Sequence, residues 1–76
     1  MSNKQGLYRL SSKKYIYTYA DCYSASLADL EIPTLYKRSY TLKQALIYMK
    51  RDIAKRLYCK PYDIDIDPSD IEILEN

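Results

Sequence analysis

The chain has 76 residues, with twelve Lys and Arg, ten Asp and Glu, no His and a single Gly, for a net charge of +2. A chain this short makes one domain, residues 1–76, and buries only about 60% of the surface it exposes when unfolded, which leaves little room for a deep cleft beside its core. Without His it lacks the commonest general base and metal ligand, with one Gly it has no glycine-rich phosphate loop, and Ser11, Ser12, Ser24 and Ser26 stand in no nucleophile motif, so the composition points away from an enzyme and from any cofactor or metal.

Residues 1–6 read as a frayed, disordered end. The opening "MSNKQGLYRL" has no apolar run of the secretory kind, and nowhere are there ~18 consecutive apolar residues to span a membrane. A cytoplasmic protein with no membrane contact is expected. Leu7–Leu10 predicts a short first strand, with a turn at Ser11–Ser12. In the next stretch Tyr15, Tyr17 and Tyr19 alternate with Ile16, Thr18, Ala20 and Cys22. That period of two predicts a second strand with a tyrosine face and an apolar face.

"LADLEIPT" predicts a connection, because Pro33 is a poor residue for a central strand. A short helix over Ser24–Leu30 is the alternative. "TLYKRSYT" predicts a further strand, antiparallel to the tyrosine strand.

"TLKQALIYMKRDIAKRLYCK" carries the strongest signal. Thr41 is a candidate N-cap with Gln44 at capping-box spacing. Leu42, Ala45, Leu46, Met49, Ile53 and Leu57 repeat at helical spacing and predict an amphipathic helix ending before Pro61. Lys55, Arg56 and Lys60 complement its C-terminal dipole. In the tail, "YDIDIDPSDIEILEN", Ile64, Ile66, Ile71 and Ile73 alternate with acids around a turn at Asp67–Pro68–Ser69–Asp70. One or two short strands are expected there. The fold class is α+β in β-β-α-β order: two or three N-terminal strands, one helix packed on a small antiparallel sheet, and a short C-terminal strand.

Three surfaces stand out. The helix carries a second stripe, Ile47, Arg51, Ala54 and Tyr58, flanked by Tyr48 and Lys55. Aromatic and Arg anchors on a nominal solvent face fit a protein contact. The alternative is that Ile47 and Tyr58 are covered by the tail or by residues 24–33. The second surface is the acidic row Asp63, Asp65 and Asp67. It matches the start of a calcium loop, but Pro68 stands where that loop needs Gly and Leu74 where it needs Glu. Alternation with Ile64 and Ile66 explains the row as the wet side of a strand, either pairing with Arg51, Lys55 or Lys60 or offered to a basic partner. The third joins Lys13, Lys14, Tyr15, Tyr17 and Tyr19 to Lys37 and Arg38 on the presumed neighbouring strand. Aromatics among cations on a sheet suit single-stranded nucleic acid.

Charge is divided along the chain: twelve cations and four acids lie before residue 61, and six acids and no cation after it. All ten aromatic residues are Tyr, too many to bury in so small a core. Cys22 and Cys59 form no CxxC motif and read as thiols, or as one long-range disulfide. The function expected is non-enzymatic protein binding by an adaptor or small inhibitor, of the size and composition familiar from phage proteins. The alternatives are nucleic-acid binding through the tyrosine sheet, and a homodimer paired through helix faces or edge strands.

Overall fold

The computed structural model describes residues 4–75. It is an α+β fold with two three-stranded antiparallel sheets and one long helix. The strands are β1 (Gly6–Leu10), β2 (Tyr15–Thr18), β3 (Tyr23–Ser26), β4 (Leu35–Ser39), β5 (Ile64–Asp65) and β6 (Ile71–Glu75), with α1 (Leu42–Leu57) between β4 and β5. Four strands therefore precede the helix and two follow it, in place of the expected β-β-α-β order. The first sheet has the order β4-β1-β6 and the second β3-β2-β5.

Each sheet joins the N-terminal part of the chain to the tail. In the first, Leu35, Leu10 and Ile71 line up across the three strands, and all three are buried. In the second, Thr18 stands opposite both Tyr23 and Ile64. α1 lies against β4 and β1 and against the single-turn helix Pro61–Asp63. One core results, containing Tyr8, Leu10, Ile16, Leu27, Ile32, Leu35, Met49, Ile53, Ile64 and Ile66.

The helix follows its sequence signals. Thr41 Oγ1 accepts from Gln44 N at 3.1 Å. The reciprocal arm shifts by one residue, since Gln44 Oε1 accepts from Tyr40 N at 3.2 Å rather than from Thr41 N. Ala45, Met49 and Ile53 are fully buried, and Leu42, Leu46 and Leu57 pack at the edge of the core.

Several expectations need correction. Gly6, placed in the frayed end, begins β1 and is buried. A Cβ there would lie 2.7 Å from the carbonyl oxygen of Glu75, so the chain's only glycine sits where two backbones meet closely. Residues 1–3 of that predicted end lie outside the described residues. The tyrosine strand stops at Thr18, because a turn over residues 19–22 leads into β3 with Cys22 at φ 54°. Residues 27–34 connect β3 to β4 as expected, whereas the alternative helix over Ser24–Leu30 does not form: residues 23–26 are a strand, and only Ala28–Leu30 is helical. Finally, β4 pairs with β1 and not with the tyrosine strand.

Candidate functional site

The acidic tail neutralises cations of β1, β4 and the β1–β2 turn rather than helix cations. Arg9 Nη2 meets both carboxylate oxygens of Glu72, at 2.7 and 2.9 Å. Arg38 pairs with Glu75 at 3.3 Å and Lys14 with Asp70 at 3.8 Å. The expected pairing of the Asp row with Arg51, Lys55 or Lys60 is replaced by hydrogen bonds to uncharged groups. Asp63 Oδ2 accepts from Lys60 N at 3.3 Å, a bond to the Lys60 backbone and not to its ammonium. Asp65 Oδ2 accepts from the Tyr19 hydroxyl at 3.4 Å. Asp67 caps its own turn, accepting from Ser69 N at 3.0 Å and Ser69 Oγ at 2.8 Å, and these bonds hold its carboxyl below the usual range. Among the described residues no three Cys, Asp or Glu side chains come together as a metal site.

The tyrosine sheet faces outward, since Ile16 and Thr18 are the buried residues of β2. Its neighbours are not the expected ones. Tyr17 is flanked by Ser24 of β3 and Asp65 of β5, and the Tyr17 and Tyr19 rings meet edge to face at 5.0 Å. Partial burial pushes the Tyr17 phenol up, and nearby Cys22 adds to the shift. Lys37 and Arg38 belong to the other sheet, and both are paired with acids. The seven residues of the nucleic-acid surface are thus split, with an acid among the tyrosines. Cys22 and Cys59 are both free, and burial together with Asp63 and Asp21 pushes the Cys59 thiol up.

The helix face is different. α1 carries Lys43, Lys50, Arg51, Lys55 and Arg56 against one acid, Asp52. Tyr48, Arg51 and Lys55 line an open groove of about 470 Å³ together with Lys37 of β4 and Asp52. Lys37 Nζ reaches Asp52 Oδ2 at 2.9 Å, and Arg56 Nε reaches Asp52 Oδ1 at 2.9 Å. Partial burial alone would raise the Asp52 carboxyl, but the hydrogen bonds and charges of Lys37 and Arg56 outweigh it and hold the group below its ordinary value. The side chains of Arg51 and Lys55 have no ion-pair or hydrogen-bond partner among the described residues.

The predicted second stripe is thereby divided. Ala54 is buried, Ile47 is 40% exposed, and Tyr58 is 97% exposed at the helix C-cap. Neither the tail nor residues 24–33 cover Tyr58. Its backbone is left-handed, at φ 57° and ψ 39°, a place where Gly is the usual residue.

Sequence reasoning missed Asp52 as a site residue and assigned Lys37 to another surface. No local signal links them, because the contact depends on β4 pairing with β1 and lying under α1. Comparison with protein-family models, with curated proteins and with solved structures finds no match to this chain.

Proposed function

We propose that this is a non-enzymatic binding protein that meets a protein partner through the outer face of α1, with Tyr48, Arg51, Lys55 and Tyr58 as contact residues. One observation carries the reading. Four cations of α1, Lys43, Lys50, Arg51 and Lys55, have no ion-pair partner among the described residues, and the most exposed tyrosine caps the same helix, while Arg9, Arg38 and Lys14 are paired with the tail. Tyr and Arg are the residues most enriched at binding hot spots. Tyr58 adds a second argument: a fully exposed aromatic residue in a left-handed C-cap has no reason in packing or in backbone energetics, and strained positions of this kind concentrate at functional sites.

The test is photo-crosslinking in the native host, with a benzophenone amino acid replacing one Tyr at a time. Positions 48 and 58 are expected to give a discrete adduct with another protein, and positions 15 and 36 none. Adducts from 15 or 36 alone would move the interface to a sheet.

Self-association is a second reading with its own support. β6 is an open edge of the first sheet, and it exposes Ile73 and Leu74. Open apolar edges readily pair with another strand. Sedimentation at rising concentration tests it: a dimer disrupted by Ile73→Lys is the expected result, and a monomer throughout removes the reading.

A further inference from the structure

Asp52 is the one acid on α1, and its two oxygens are taken by cations from different elements, Lys37 from β4 and Arg56 from one turn along the helix. Three cations line the groove, Lys37, Arg51 and Lys55. Two of them have no partner among the described residues, and the third is held by an internal carboxylate.

We propose that the groove between α1 and β4 takes a carboxylate-bearing segment of a protein partner, and that Asp52 stands in for one of the partner's carboxylates by holding Lys37 until the segment arrives. This rests on the reading of α1 as the contact face and names the chemistry of what binds there. Charge complementarity is the argument. Arg51 presents a planar fork that suits an incoming Asp or Glu, and Lys55 adds a mobile point charge beside it. Tyr48 supplies apolar contact area with a hydroxyl at its rim. Lys37 then exchanges Asp52 for the partner's carboxylate, while Arg56 keeps Asp52 neutralised. One partly exposed ion pair replaces another, so the exchange costs little.

An acidic protein segment fits better than nucleic acid. A phosphate chain carries charge at every residue and must pass the fixed carboxylate of Asp52, whereas spaced Asp or Glu side chains need not. The groove also offers a single Tyr, not the row of rings on which successive bases stack.

The test uses the full chain and three fluorescein-labelled probes: a Glu-Ser peptide, the same peptide with Gln for Glu, and a single-stranded DNA of similar length. Anisotropy is expected to show binding of the Glu peptide alone, lost in Arg51→Glu and Lys55→Glu. Asp52→Asn frees Lys37 and tightens binding about two- to fivefold, the worth of a partly exposed ion pair. Asp29→Asn makes the same charge change at an exposed position outside the groove and leaves binding unchanged. Equal effects of Asp52→Asn and Asp29→Asn, or tighter binding of DNA than of the Glu peptide, overturn the proposal. Peptide binding that depends on Arg51 but ignores Asp52→Asn overturns the stand-in role and leaves α1 as the contact face. Absence of crosslinks from positions 48 and 58 overturns the contact face itself.

Discussion

Arg9 on β1 and Glu72 on β6 are cross-strand partners, and their side chains form a two-pronged ion pair at 2.7 and 2.9 Å on the outer face of the first sheet. Through it the last strand is pinned to the first, and one cation of the basic segment is cancelled by the acidic tail. The pair is partly exposed, so salt should screen it. In a double-mutant cycle, Arg9→Gln and Glu72→Gln each lower the melting temperature, and the double variant loses less than the sum. The coupling shrinks in 1 M NaCl. A coupling of zero at low salt would mean that the strands hold without it.

Asp52 makes stability depend on pH. Its carboxyl is held below the ordinary carboxylate range by Lys37 and Arg56, which is about 3.9 in the unfolded chain. A depressed carboxyl contributes stability that is fully present above the unfolded value and is lost as pH falls through the folded one. Asp52→Asn should therefore unfold at lower urea than the parent at pH 7. The gap between the two should narrow below about pH 4 and close in strong acid, where both chains carry a neutral group at position 52. Urea titrations across this range check it, and a constant gap would contradict the ion-pair account.

Tyr58 is the position where stability and binding should part. Tyr58→Gly relieves a left-handed backbone and should raise stability by about 1 kcal/mol. The same change removes a 97%-exposed aromatic ring from the proposed contact face and should weaken partner binding. Denaturation and binding measured on one preparation decide it: a variant that is more stable and binds equally well would remove Tyr58 from the site.

Met49 and Ile53 are fully buried where α1 meets the core. Truncation of either to Ala should cost about 2–5 kcal/mol, a large share of the 5–15 kcal/mol typical of a small domain. Chemical denaturation checks this. A loss under about 1 kcal/mol would mean that the helix is held less tightly than its burial implies.

The helix was the most legible part of the sequence, because its signals are local: Thr41 with Gln44, and an apolar residue at every third or fourth place up to Leu57. The alternation along β2 was equally local, with Tyr15 and Tyr17 on one face and Ile16 and Thr18 on the other, but which face turns inward was not legible, and the fold buries Ile16 and Thr18. Strand partners were not legible either. β1 pairs with β4 and β6 across long stretches of chain, and nothing within a ten-residue window encodes that choice. Hence Tyr17 gained Asp65 and Ser24 as neighbours rather than Lys37 and Arg38. The candidate site was half legible for the same reason. Tyr48, Arg51 and Lys55 lie on one helix and were grouped from spacing alone, whereas Lys37 reaches them only through the fold. Asp63 and Asp67 were singled out for charge and turned out to bond within their own turns.

The most direct test of the account is to follow backbone amide shifts by NMR during titration with the Glu-Ser peptide. The account predicts that the shifts cluster at Lys37, at residues 48–55 and at Tyr58, and vanish in Arg51→Glu. Shifts centred instead on Tyr15, Tyr17, Ser24 and Asp65 would show that the tyrosine sheet is the binding surface and contradict the assignment to α1.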